Sequence, residues 1–230
     1  MKISILLPYK ENFSPTYPGA VSLFVNDTSI ISKYRKNITV YGNTKQKIKF
    51  NVKYKNIDLS KKIFQSQSKK YVNEFINLEK NNKSSLIEIH NRPNYLKFLI
   101  NKLNRRIYVL YFHNDPLTMS GSRSVVERSY LLKNCFKIIF NSNWSKKRFL
   151  DGLHNKFINS EKLIVVFQSA KKTNITISKK KNWITFVGKL NKAKGYDLFG
   201  NSVLKILKYN KSWKAKVIGD EVREKIVFNH

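Results

Sequence analysis

The sequence predicts an α/β protein with one complete Rossmann-like parallel-sheet domain over residues 1–170 and the first βαβ unit of a second domain over 183–230. Three observations predict it. Short apolar runs alternate with stretches whose apolar residues recur at helical spacing, the pattern of a parallel sheet covered on both faces. Several runs end on glycine or on a polar cluster, where open parallel sheets bind ligands. The alternation breaks at a polar, lysine-rich stretch, 171–182, and then restarts, which predicts an interdomain linker.

The elements follow in order. Ile3 to Leu7 is a mostly apolar run, as expected of a strand buried on both faces. A proline-bearing loop leads to Gly19, and Ala20, Val21, Phe24, Val25 and Thr28 recur at helical spacing. Ile38 to Gly42 reads as a strand with a stop, and Ile48 to Val52 as a further, less patterned strand. Residues 68–80 read as a helix through Tyr71, Phe75, Ile76 and Leu78. Leu86 to Ile89 is a strand running into His90. After it, Pro93 suits a first helical turn, and Tyr95, Leu96, Leu99, Ile100 and Leu103 form one apolar stripe. Ile107 to Phe112 is a strand running into His113. Ser124–Leu132 and Ser145–Leu153 are expected helices, and Lys137–Phe140 and Leu163–Phe167 expected strands. Beyond the linker, Trp183–Val187 is a strand ending at Gly188. A helix carries Leu198, Phe199, Val203, Ile206 and Leu207, and Ala215–Ile218 is a strand ending at Gly219-Asp220.

Composition narrows the function classes. Hydrophobic residues make up 41% of the 230, enough for a sizeable core. The single cysteine, Cys135, forms no internal disulfide, which suits a reducing compartment. No apolar run has the length of a membrane span, and no metal-ligand cluster stands out. Forty-five Lys and Arg face 14 Asp and Glu, for a net charge of +31. Such a surface attracts polyanions: nucleic acid, anionic lipid or phosphorylated sugars. The lysines are scattered among many Asn and Ile, which also fits an A- and T-rich codon bias. No RNA-binding aromatic signature or helix-turn-helix spacing accompanies the charge. A basic protein that binds nucleic acid or anionic membrane without catalysis is the alternative reading.

Four clusters fall at predicted strand ends: His90-Asn91-Arg92-Pro93, His113-Asn114-Asp115-Pro116, Gly188-Lys189 with Lys194-Gly195, and Gly219-Asp220-Glu221. Histidines at neighbouring strand ends are candidates for proton transfer, and also for a purely structural role. Lys189 and Lys194, each beside a glycine, could converge on a diphosphate at the start of the following helix.

The segment Phe186-Val187-Gly188-Lys189-Leu190-Asn191-Lys192-Ala193-Lys194-Gly195-Tyr196-Asp197-Leu198 resembles the start of the donor domain in glycosyltransferase family four, of the GT-B fold, whose members read F-V-G-R-L-x-x-x-K-G-x-D-x-L. Phe112-His113-Asn114, Phe140 to Ser145 and Lys162 to Phe167 resemble its acceptor-domain strands, so the similarity runs through nearly the whole chain. Three departures stand out. Lys189 replaces an arginine, keeping charge but losing the bidentate fork. Gln168-Ser169-Ala170 stands where Asn-Gly is usual. The family's closely spaced glutamate pair, which holds sugar and ribose, has no counterpart, so 183–230 is expected to be an incomplete donor domain.

The resemblance implies a retaining hexosyltransferase that moves a sugar from a nucleoside-diphosphate donor to a glycan or lipid-linked acceptor, in cell-surface polysaccharide synthesis. It implies a nucleotide sugar as co-substrate, with no cofactor and no metal. His113 would lie at the transferred sugar as the catalytic candidate. Gly19, Gly188, Lys189, Lys194, Gly219 and Asp220 would hold the donor, and His90 and Asn91 would line the acceptor side. Glu88 is expected to stay outside the chemistry. A cytoplasmic protein, with peripheral contact at the inner face of an anionic membrane and no specific nucleic acid, is expected. The chain alone is expected to be inactive. A sugar-nucleotide epimerase of the same fold is a third reading, which would need acidic groups in the cleft.

Overall fold

A computed structural model describes residues 1–60, 66–169, 174, 176, 179–221 and 225–228. The chain divides into two compact units, Met1–Ala170 and Lys171–His230. Half of the segment expected to be a linker, 171–182, lies outside the described residues.

The first unit is built on a seven-stranded parallel sheet. Its strands are β1 (Ile3–Leu6), β2 (Ile38–Gly42), β3 (Tyr54–Asn56), β4 (Leu86–His90), β5 (Ile107–Phe112), β6 (Lys137–Phe140) and β7 (Leu163–Val165), in the order β3-β2-β1-β4-β5-β6-β7. The order reverses between β1 and β4, the switch point where open parallel sheets leave a crevice at the strands' carboxyl ends.

Five helices connect these strands: α1 (Ala20–Ile31), α2 (Gln67–Asn82), α3 (Tyr95–Lys102), α4 (Val125–Asn134) and α5 (Asn143–Leu150). All of β1 is buried because alternate residues serve two cores. Ile3, Ile5 and Leu7 pack with Val21 and Val25 of α1 and with Phe13. Leu6 joins the larger core with Tyr71 and Phe75 of α2, Leu96 and Leu99 of α3, Leu131 of α4 and Phe149 of α5. Each fully buried Leu or Phe there contributes roughly 1.5–3 kcal/mol. Among the described residues α1 is the one helix packed into the smaller core, so coverage is unequal. Beyond α1, the sheet face over β4–β6 is a groove of about 350 Å³ lined by Leu86, Glu88, Val109, Tyr111 and Ile139.

Helix ends use side chains where the sequence offers them. Ser124 and Glu127 form a capping box at α4, and Ser142 accepts from the Ser145 amide at α5. At α1 the N-cap is Gly19, and the Glu11 carboxylate accepts from the Ser22 amide at 2.9 Å. A Cβ on Gly19 would lie 1.9 Å from that carboxylate.

Some expected boundaries move. The strand expected at Ile48–Val52 is absent, and β3 forms at Tyr54–Asn56. The Val52 amide turns back onto Phe50, whereas Tyr54 and Asn56 pair in register with Val40 and Gly42. Tyr54 also stacks on Phe13, with ring centroids 5.4 Å apart. Local alternation over 48–52 therefore yields to the pairing that β2 offers. Helix α5 stops at Leu150, before a left-handed Gly152 (φ 71°).

The second unit pairs β8 (Trp183–Val187) in parallel with β9 (Lys214–Ile218), linked by α6 (Tyr196–Tyr209). Ile184 and Phe186 alternate to one face, where the Phe186 ring meets Tyr196 and Phe199 at 5.2 and 5.3 Å. Every residue of β9 is exposed.

Candidate functional site

Polar residues beyond the carboxyl ends of β4, β6 and β7 converge on His113, which itself follows β5. Asn91 leaves β4 in the left-handed conformation (φ 51°), which asparagine tolerates better than most residues. That turn lets its amide donate to the Tyr111 carbonyl at 2.9 Å, and its Oδ1 accept from the His113 amide at 2.7 Å. Asn141, after β6, donates from Nδ2 to the His113 carbonyl at 2.8 Å. Gln168, after β7, places its amide nitrogen against His113 Nδ1.

The imidazoles lie side by side. His90 Nδ1 is 2.8 Å from His113 Nε2, and His90 Nε2 is 2.7 Å from Glu88 Oε1. Strand alternation explains the second contact: Glu88 and His90 are two residues apart, so they share a face of β4. Tyr111 is opposite His90 in register, and its ring stacks on that imidazole at 4.7 Å. Phe24 of α1 meets the His113 ring edge-on at 5.0 Å. These rings exclude water, and His90 is fully buried.

Donor and acceptor capacities fix the tautomers. A carboxylate can only accept, so His90 carries its proton on Nε2 and presents a bare Nδ1. His113 then donates from Nε2, leaving its Nδ1 to accept from Gln168. With both rings neutral, every contact in the chain pairs one donor with one acceptor. Burial, and then the neighbouring His90, push the His113 pKa from 6.5 down to about 3. Burial, reinforced by the Glu88 charge, raises Tyr111 well above the usual phenol range.

Beside this cluster, Asn91, Arg92, Asn94, Ser68, Thr118 and Met119 line a pocket of about 260 Å³, closed also by Ser120. Asn91 thus touches both the histidine pair and the pocket. His90 lies behind His113, so a ligand at the strand ends would reach it through that ring. Gly19 lies at the start of α1, against the Glu11 carboxylate.

In the second unit, Gly188 and Gly219 meet at the carboxyl ends of β8 and β9. The Gly188 amide donates to Ile218 O at 3.0 Å, and a Cβ on Gly219 would fall 1.7 Å from Gly188 O. Lys189 and Lys194 lie exposed on the loop that follows, and Asp220 is exposed after β9. Asn191 caps the turn before α6 by accepting from the Lys194 amide at 3.1 Å, and it donates to Glu221 at 3.1 Å. Gly195 closes the turn at φ 72°. Among the described residues, no group of His, Cys, Asp or Glu could hold a metal ion, and no helix is long and apolar enough to cross a membrane.

Sequence reasoning placed Glu88 outside the site and overlooked Asn141 and Gln168. Period-two alternation from His90 would have found Glu88. The polar residue directly after each apolar strand would have found the other two.

No family model matches the sequence, and no curated protein matches it. Solved structures do. Anabaena HepE in complex with UDP-glucose superposes with a TM-score of 0.67 at 15% identity, over 98% of this chain and 62% of that one. The lipopolysaccharide outer core galactosyltransferase WaaB, in its apo form, gives 0.58 at 16% identity, over 96% and 62%. The UDP-GlcNAc 2-epimerase from Neisseria meningitidis, bound to UDP-GlcNAc, gives 0.56 at 12% identity, over 94% and 65%. The fold is GT-B. The chain spans about 62% of the length of the HepE chain.

Proposed function

We propose that the chain carries the acceptor-side domain and the first donor-side unit of a GT-B glycosyltransferase. It would move a sugar from a nucleoside-diphosphate donor to a glycan or lipid-linked acceptor in cell-surface polysaccharide synthesis, with retention and without metal. The carrying observation is the His90–His113 pair, with His90 buried and His113 half-buried, at the carboxyl ends of β4 and β5, next to the switch point of a GT-B sheet. UDP-glucose in HepE supports the donor class.

In this reading His113 meets the reacting groups at the strand ends. Asn91 lines the acceptor pocket, with His90 behind it. Gly188 and Gly219 let the backbone approach a diphosphate, and Lys189 and Lys194 stabilise its charge as it leaves. Asp220 lies near the nucleotide, and Gly19 near the donor. The protein works in the cytoplasm, at the inner face of the membrane. An epimerase reading would need an acid at the reacting carbon. Glu88 is separated from the strand ends by the His90 ring, which favours transfer.

Calorimetric titration of the 230-residue chain with UDP-glucose and other nucleotide sugars tests the donor class. Lys194→Ala should weaken binding by roughly 0.2–1 kcal/mol, the range for an exposed charge pair. An unchanged affinity would make Lys194 an ordinary surface lysine, and no binding of any nucleotide sugar would remove the reading.

A further inference from the structure

We infer that Glu88 and His90 are positioning residues that make His113 a base: they hold its Nδ1 bare toward the strand ends and draw off its Nε2 proton when Nδ1 is protonated. The inference rests on the transferase reading only for the source of that proton. The geometry supplies the rest. Glu88 accepts from His90 Nε2, His90 Nδ1 accepts from His113 Nε2, and His113 Nδ1 faces the exposed Gln168. The groups facing this chain are Tyr111 of β5, stacked on His90, and the uncharged ring of Phe24 of α1. The far end opens onto solvent, because Glu88 lines the groove over β4–β6 together with Lys137. His90 is fully enclosed, and the Glu88 side chain is 17% exposed.

The acceptor's O–H bond breaks and its proton forms the Nδ1–H bond of His113, once the Gln168 amide has moved aside. The acceptor oxygen's electron pair bonds the anomeric carbon on the face from which the diphosphate departs, so the configuration is retained, and the carbon–oxygen bond to the diphosphate breaks, its electrons leaving with the diphosphate. The Nε2 proton of His113 passes to Nδ1 of His90, and the Nε2 proton of His90 passes to Glu88. The rings end neutral and the carboxylate ends as a carboxylic acid, so no imidazolium is left in a site that burial and His90 make hostile to one. The reverse series, with the His113 Nδ1 proton given to water in the vacated site, restores the starting tautomers.

The test uses the 230-residue chain with 15N-labelled histidine. Long-range proton–nitrogen correlation distinguishes protonated from bare ring nitrogens. His90 and His113 are expected as Nε2–H tautomers at neutral pH. Glu88→Gln keeps an acceptor for His90 but cannot take up a proton. It should leave the ring-nitrogen shifts in place and slow exchange of the ring protons with water by roughly 10²-fold, the lower end of what a positioned acid–base group supplies. Glu88→Lys replaces acceptor with donor, and should move the protons of both rings to Nδ1. A wild-type His113 protonated on Nδ1, or ring-proton exchange unaltered in Glu88→Gln, would overturn the relay. Should Glu88→Lys fail to fold, the Gln variant still decides. A UDP-glucose titration run beside these measurements separates the two ideas: failure to bind with the relay behaviour intact removes the transferase reading alone.

Discussion

His113 is held by residues at or just beyond the ends of the neighbouring strands: its amide by Asn91 Oδ1 at 2.7 Å, its carbonyl by Asn141 Nδ2 at 2.8 Å, and its ring Nε2 by His90 at 2.8 Å. The ring's protonation is therefore coupled to folding. The depressed pKa means the unfolded chain binds a proton more readily between about 3 and 6.5. Stability should be fully present above pH 6.5 and fall as pH drops toward 3. Urea midpoints across that window check it, and His113→Asn should flatten the slope. An equally steep slope in the variant would assign it to other groups.

Glu79 of α2 is fully buried and ties the amino end of the sheet. It accepts from Ser4 Oγ at 2.6 Å, and from the Ser84 amide at 2.6 Å and hydroxyl at 2.5 Å. Glu79→Ala strands three buried donors and should cost roughly 3–5 kcal/mol. Glu79→Gln keeps one acceptor oxygen and should cost less. Chemical denaturation of both variants reads the difference, and equal losses would contradict the role given to hydrogen bonding.

Gly219→Ala would press a methyl group onto the backbone carbonyl of Gly188, 1.7 Å away. Backbone cannot swing aside as a side chain can, so the ends of β8 and β9 must part at a cost of roughly 1–3 kcal/mol. Faster hydrogen exchange at the Gly188 amide is the expected signature. Nucleotide-sugar affinity should fall with it if these glycines floor the donor site.

Lysines are exposed on both units, and among the described residues Lys70 alone is buried. Charge spread in this way attracts polyanions without a shaped site. Binding to duplex DNA should be weak and should vanish as salt is raised from 50 to 200 mM. Tight, sequence-selective binding at physiological salt would restore the nucleic-acid reading.

The 230-residue chain is expected to bind a donor without measurable transfer. The described part of the second unit offers two paired strands, one helix and a β9 exposed throughout. Such a floor can meet a diphosphate but orients the sugar poorly, and orientation supplies much of a transferase's rate. Sugar release or transfer by the purified chain would show that a smaller donor site suffices.

The alternation of strands and helices, the two histidines at consecutive strand ends and the glycine-lysine loop were all legible in the sequence, because the backbone periods of two and 3.6 residues print themselves on apolar spacing. So was the continuous burial of β1, from its apolar run. The place of β3 was not: residues 48–52 alternate as well as 54–56 do, and only pairing against Val40 and Gly42 separates them. Nor was the order of donors from Gln168 through His113 and His90 to Glu88, since it joins β4, β5 and the segment after β7. Contacts between strands depend on sheet order and register, which arise when the whole chain packs. Local patterning places His90 and His113 at the ends of neighbouring strands, but which nitrogen of each ring carries the proton follows from the partner it meets, and those partners come together only when the sheet assembles.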